Sequence, residues 1–175
     1  MTSRSQSSLA ATSMECSSLA FADLSTDLLM SGRSVRFRAR GTSMSPLVRD
    51  GDIVLVRPVG AGSIRVGDLA FCRIEPGRAI VHRVIRKQAG PAGIRFTVQG
   101  DQRARPDGVI AEAEVFGRVV AINRDGVHIG TGGPMARLLG WSMVLRSRGR
   151  LSRGGPYRLA WRLLKRLPLF SRYLA

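Results

Sequence analysis

Hydrophobic and polar residues alternate along the middle of the chain in short runs separated by turn residues. Val35, Phe37 and Ala39 alternate with arginines, and a period of two predicts a strand with one buried face. Similar short apolar runs follow, each bounded by Gly, Pro or Asp. We predict seven strands, at 34–40, 53–57, 69–74, 79–85, 94–98, 115–123 and 127–129. This pattern predicts a mainly β domain over 34–130, built as a compact antiparallel barrel or sandwich.

The segments on either side of this β region have a different pattern. Residues 1–17 are rich in Ser and Thr, and we expect a disordered leader. Leucines and Phe21 recur at helical spacing over 18–33, which predicts a short amphipathic helix that ends at Gly32. Residues 131–175 interleave Leu and Trp with Arg and Lys, which predicts a basic amphipathic tail of two helices.

Charge is concentrated in this tail. The chain has a formal net charge of +16, and 134–175 holds ten basic residues and no acidic one. Such a segment is attracted to polyanions. We expect Pro134 to Ala175 to bind an anionic membrane surface through Trp141 and Trp161, and we do not expect nucleic acid as a partner. The alternative is that the helices pack on the barrel and the arginines are solvated.

Neither a membrane span nor an export signal is predicted. No run of about 18 apolar residues occurs, and the N-terminus lacks the basic start and continuous apolar core of a signal peptide. We therefore expect a protein that is peripherally associated with a membrane or cytoplasmic.

The cysteines and histidines predict neither disulfides nor metal. Cys16 lies in the leader and Cys72 in an apolar strand, which is not the pattern of a disulfide framework. No Cys/His cluster has zinc spacing, so we expect no metal and no cofactor. Of the two histidines, His128 lies near a turn and is given no role.

Ser43 and His82 are the candidates for nucleophilic chemistry. His82 lies among apolar residues of a predicted strand, where a histidine more often only bonds a neighbour. Ser43 follows Gly41 and precedes Pro46, so the backbone can turn and present a hydroxyl. A nucleophilic serine needs a base within reach and a carboxylate that holds the base. Asp101 and Asp107 are the candidate acids, and the alternative is that they pair with nearby arginines.

Several motifs, taken in order, resemble those of signal peptidase I and its relatives. Gly41-Thr-Ser-Met-Ser-Pro resembles the nucleophile box, and Ile80-Val-His-Arg-Val-Ile resembles the box that carries the base. The full set that matches in order and spacing is 41–46 with 49–52, 65–74, 80–85, 100–107 and 115–118.

The resemblance implies a partly open antiparallel β-barrel of the signal-peptidase and LexA protease type, with flanking amphipathic helices and particular residue roles. Bacterial-type signal peptidases and LexA-type repressors use a lysine base where this chain has His82. A histidine there is similar to the Ser/His/Asp signal peptidases of the endoplasmic reticulum, archaea and some Gram-positive bacteria. By position, Ser43 is the nucleophile, His82 the base, and Asp107 the catalytic carboxylate. Asp101 matches a structural Gly-Asp pair and is expected to brace its loop.

The oxyanion site departs from the family pattern. Signal peptidases often have Ser-Gly-Ser where this chain has Gly41-Thr42-Ser43, so a hydroxyl two residues before the nucleophile is missing. We expect the Ser43 N–H to bind the oxyanion with help from Thr42. Loss of one such donor costs on the order of 100-fold in rate.

The resemblance implies a serine endopeptidase of signal-peptidase type, acting on peptides or preproteins near a membrane. The alternative is an inactive or self-cleaving LexA-like relative that acts as a regulatory or basic binding module. Few residues precede the first predicted strand, so we do not expect a DNA-binding domain before it.

Overall fold

The computed structural model describes residues 18–151. The predicted leader and the second tail helix lie outside these residues. The elements are α1 (Ser18–Met30), β1 (Val35–Arg38), β2 (Ile53–Pro58), β3 (Leu69–Glu75), β4 (Arg78–Gly90), β5 (Gly93–Gln99), β6 (Gly108–Ala111), β7 (Val115–Arg124), β8 (Val127–Gly130) and α2 (Pro134–Leu151). Short 3-10 turns precede β3 and β7.

All the described strands join one antiparallel sheet in the order β1-β2-β7-β3-β4-β5-β6, and β8 pairs with β7. This confirms the predicted mainly β, partly open antiparallel fold with flanking helices. Within 18–151, neither helix has the length and apolar character needed to cross a bilayer.

Strand β6 is the element that the sequence pattern missed. It pairs with β5, with Phe96 opposite Ile110, and none of the seven predicted strands covers it. Strand β4 is also longer than predicted, because Arg86 to Gly90 continue the hairpin with β5. The predicted β3–β4 turn is correct, since Glu75 and Arg78 pair around Pro76 and Gly77.

The sheet buries both of its faces at β3. Leu69 and Phe71 belong to one buried cluster, which also receives Leu29 of α1. Ala70 and Cys72 belong to a second cluster on the opposite face, because successive strand residues point to opposite sides. Burying a side chain such as Phe71 contributes roughly 1.5–3 kcal/mol, so both clusters hold β3 and the strands beside it.

Helix α1 ends with a motif that its sequence encodes. Gly32 has φ +82°, its N–H donates to the Leu29 carbonyl, and the Arg33 N–H donates to the Leu28 carbonyl. These are the two bonds of a Schellman cap, which favours glycine in the left-handed conformation. The cap turns the chain into β1, and Phe21 packs edge-on against Phe37 at 5.1 Å.

Helix α2 begins at Pro134, which suits the first turn of a helix because proline lacks an N–H. Its backbone lies close to the loop before β3 at Gly140. A Cβ at that position would lie 2.8 Å from the Gly67 carbonyl oxygen. The missing side chain therefore lets α2 lie directly on the loop before β3.

Candidate active site

The loop after β1 carries Ser43 between residues that are fixed by burial. Gly41 has φ +90°, a conformation that few other residues adopt. Met44, Leu47 and Val48 are all buried in the first cluster, while Ser43 is only half-buried. The loop is therefore anchored by its neighbours, and the hydroxyl stays accessible.

Arg124 clamps the other end of this loop. Its guanidinium donates to both carboxylate oxygens of Asp52, at 3.1 and 2.9 Å, and to the Leu47 carbonyl at 3.0 Å. Asp52 in turn accepts the Arg49 N–H at 2.8 Å. Nothing in the sequence pattern pointed to Arg124, which lies 72 residues from its acidic partner.

His82 faces the Ser43 hydroxyl from strand β4. Its ring is buried, with 5% of the residue exposed, and Nε2 lies 3.3 Å from Ser43 Oγ. This distance is at the long end of hydrogen-bond reach for a base and its nucleophile. The two residues, 39 apart in the chain, are brought together as the sequence analysis expected.

Asp107 lies on the other side of the imidazole. Its Oδ2 is 2.9 Å from His82 Nδ1, and the same oxygen accepts the Gly100 N–H at 2.7 Å. Nδ1 forms no hydrogen bond of good geometry within residues 18–151, so Asp107 contacts it by proximity and charge. Arg103, the alternative partner considered for this acid, is farther away, with Nε 3.8 Å from Oδ1. The carboxylate therefore sits where it can hold a proton on Nδ1.

Asp101 is not in the line of Ser43, His82 and Asp107. It forms a buried two-pronged ion pair with Arg83, at 2.7 and 2.6 Å. Arg83 is next to His82 and points to the opposite face of the strand. The pair fixes the start of the loop after β5 to the strand that carries the imidazole. Asp101 was expected to brace this loop, but the sequence did not identify Arg83 as its partner.

The same loop is tied directly to the nucleophile loop. The Gln102 N–H donates to the Ser43 carbonyl at 2.9 Å, and its side-chain amide donates to the Ser45 carbonyl at 3.0 Å. A Cβ on Gly100 would lie 3.0 Å from the Ser43 carbonyl oxygen and 3.3 Å from His82 Nε2. A side chain at position 100 would crowd both atoms, so glycine suits this close approach. Gln102 was not foreseen from the sequence.

The Ser43 N–H is available to donate to an oxyanion. The Gly41 N–H is already donated to Asp50 at 2.7 Å, so Gly41 does not serve as a donor. The Ser43 N–H makes no hydrogen bond within the described residues. Thr42 is exposed, and its carbonyl accepts the Ser45 N–H at 3.0 Å.

Burial sets the protonation of His82. Desolvation lowers the pKa of the imidazole below its usual 6.5, and the charge of Arg103 lowers it further. The carboxylates of Asp107 and Asp101 oppose this effect, while Arg78 adds a small decrease. The net direction is downward, so the ring is neutral at neutral pH and Nε2 can accept a proton.

The described cysteine does not compete with Ser43 as a nucleophile. Burial, with smaller contributions from Asp107 and Glu114, raises the pKa of the Cys72 thiol to about 12, so the reactive thiolate is not formed. Within 18–151, no group of three or more His, Cys, Asp or Glu residues is arranged to hold a metal ion.

One comparison with known proteins gave a match. The model of the Peptidase S24-like family matches residues 11–120, a range that includes Ser43, His82 and Asp107. A search of curated proteins found no match.

Proposed function

Since this chain belongs to the Peptidase S24-like family, we propose that it is a serine endopeptidase with Ser43, His82 and Asp107 as its catalytic residues. The observation that supports this proposal is the continuous line of contacts. Ser43 Oγ lies 3.3 Å from His82 Nε2, and His82 Nδ1 lies 2.9 Å from Asp107 Oδ2. The line has the order nucleophile, base and carboxylate that acyl transfer requires.

In the proposed mechanism, neutral His82 accepts the Ser43 proton at Nε2 while Oγ attacks the peptide carbonyl carbon. The negative charge that develops on the carbonyl oxygen is stabilised by the free Ser43 N–H. The imidazolium then gives its proton to the leaving amine as the peptide C–N bond breaks. Water, deprotonated by the same ring, hydrolyses the acyl-enzyme and restores the serine. Asp107 keeps the Nδ1 proton in place and stabilises the imidazolium throughout.

The proposal predicts a specific pH dependence for Ser43 acylation. The rate of inactivation by a fluorophosphonate, measured between roughly pH 4 and pH 10, should rise as His82 loses its proton. Because burial lowers the pKa of this imidazole, the midpoint should fall below about 6.5 and the rate should be flat above neutral pH. The label should be found on Ser43 by mass spectrometry of a digest.

A rate that keeps rising above about pH 9 would contradict this assignment and indicate a lysine base. Lys87 is the lysine nearest to these motifs in the sequence. It is engaged elsewhere, since its amino group donates to the carbonyls of Gly62 at 2.7 Å and Ile64 at 2.9 Å.

The same purified protein distinguishes self-cleavage from cleavage of other chains. Self-cleavage would convert the 19.0 kDa chain into two fragments at a rate independent of protein concentration. Cleavage of an added peptide pool, with the enzyme intact, would support an endopeptidase that acts on other chains.

We further propose that α2 holds the enzyme at an anionic membrane surface, where membrane-proximal peptides would be its substrates. Leu138, Trp141 and Leu145 follow helical spacing and are 49, 50 and 55% exposed. Met143 and Val144 of the same helix are buried. An exposed apolar stripe in a segment whose sequence carries ten basic residues and no acidic one suits a helix lying in a lipid interface.

A triple variant with serine at positions 138, 141 and 145 is expected to bind more weakly to vesicles of phosphatidylglycerol and phosphatidylcholine. Each side chain loses roughly 1 kcal/mol of apolar burial, which together amounts to about a 100-fold weaker partition. Vesicle flotation measures the bound fraction. The control replaces Val109 and Val127, each 61% exposed on strands, with serine and should float like wild type. Equal flotation of the triple variant and wild type would rule out the stripe as an anchor.

A further inference from the structure

The loop of residues 100–107, here called the acid loop, contacts both other parts of the proposed site. Gln102 bonds the nucleophile loop through the Ser43 carbonyl, and Asp107 touches the His82 ring. The Asp107 N–H also donates to the Val98 carbonyl at 2.9 Å. The position of the catalytic carboxylate therefore depends on how firmly the acid loop is held.

Helix α2 reaches this loop through two buried polar side chains. The Ser147 hydroxyl and Gln99 Oε1 are 2.5 Å apart, and Gln99 Nε2 donates to the Arg103 carbonyl at 2.7 Å. Ser147 is 6% exposed and Gln99 4%. The Gln99 side-chain oxygen therefore bonds the helix, and its side-chain nitrogen bonds the middle of the acid loop.

A second contact fixes the same helix near the base strand. Gly140 lies against the Gly67 carbonyl, and that carbonyl accepts Arg83 Nη1 at 2.7 Å. Arg83 in turn holds Asp101 at the start of the acid loop. Helix α2 therefore contacts residues that hold the acid loop at two separate points, Gln99 and Gly67.

We propose that Ser147 and Gln99 are positioning residues, through which α2 holds the acid loop so that Asp107 stays against His82. This inference rests on the proposed function for its kinetic consequence. The Gln99 amide connects the Ser147 hydroxyl of the helix to the Arg103 carbonyl. The Arg103 N–H in turn donates to the Gly100 carbonyl at 2.9 Å, so the position of Arg103 constrains Gly100. Gly100 then donates to the same Asp107 oxygen that touches the ring.

The test compares Ser147→Ala and Gln99→Met with two matched variants. Ser147→Thr keeps the hydroxyl and should behave like wild type. Ala136→Gly weakens α2 by helix propensity without touching the Ser147–Gln99 contact, so it reports a merely structural effect. Ser147→Ala and Gln99→Met should lower kcat for a cleaved peptide by about tenfold or more, with KM within about twofold, because misplacing a catalytic group slows the chemical step.

A second readout follows His82 itself and needs no activity. In a His128→Gln background, NMR titration reports the one remaining histidine of the chain. Since the Asp107 charge raises the pKa of His82, loosening the acid loop should lower that pKa in Ser147→Ala and Gln99→Met. Ser147→Thr and Ala136→Gly should leave it unchanged.

The two readouts separate failure of this inference from failure of the proposed function. If wild type neither cleaves peptides nor reacts with a fluorophosphonate, the proposed function fails, and the titration still decides whether α2 positions Asp107. If Ser147→Ala and Gln99→Met match Ala136→Gly in the His82 titration, the positioning role is overturned. An unchanged kcat in both variants of an active enzyme would overturn it as well.

Discussion

Replacing Ser43 with alanine is expected to lower kcat/KM for a cleaved peptide by roughly 10⁴- to 10⁶-fold while leaving the fold intact. In the proposed mechanism the hydroxyl oxygen forms the acyl bond, and it lies 3.3 Å from His82 Nε2, which would activate it. The buried anchors Met44 and Leu47 remain in place, so the loop should keep its shape. Hydrolysis of a peptide pool and fluorophosphonate labelling, both read by mass spectrometry, measure the loss.

Ser45→Ala is the matched control, because it removes a hydroxyl from the same loop. Its carbonyl, which accepts the Gln102 amide, is unchanged by the substitution. Activity within a few-fold of wild type is expected there. Undiminished cleavage by Ser43→Ala, with labelling moved to another residue, would exclude the proposed nucleophile.

The sheet was predictable because its buried strands have clear patterns of apolar residues. Val35 and Phe37 alternate with arginines, as one buried face requires. Strand β3 begins with an apolar run that is buried on both faces, and Pro76-Gly77 encodes the turn that follows it. Strand β6 was missed for the opposite reason. Gly108–Ala111 is only four residues long, follows a polar loop and lies at the edge of the sheet, so no long periodic pattern marks it.

The residues that support the site could not be read from the sequence. Arg83 and Asp101 are buried charges whose pairing depends on the fold, and a pattern of apolar positions does not identify partners for arginines. The contact between Ser147 and Gln99 spans 48 residues and two different elements. Motif resemblance singled out Ser43, His82 and Asp107, which lie close together in the structure. The order and spacing of the motifs carry this information, whereas local patterns of apolar and polar residues do not.

Replacing Asp107 with alanine is expected to lower kcat/KM by about 10⁴-fold. The imidazolium formed in the reaction would then stand in a buried site without the nearby carboxylate, and His82 Nδ1 would lose its contact at 2.9 Å. Asp107→Asn should be less damaging. One oxygen of the carboxylate accepts the Gly100 N–H and also touches Nδ1, so the amide oxygen should take that position. The ring would keep its tautomer and lose only the compensating charge.

Asp107→Asn should therefore fall between wild type and Asp107→Ala, and the acid limb of its pH–rate profile should move to lower pH. The sign follows from the carboxylate charge, which raises the pKa of His82; without it the ring becomes neutral at lower pH. Asp23→Ala, on the exposed side of α1, removes an acid elsewhere and should change neither rate nor profile. An asparagine variant as inactive as the alanine variant, with its acid limb unmoved, would show that the carboxylate does not act through the imidazole.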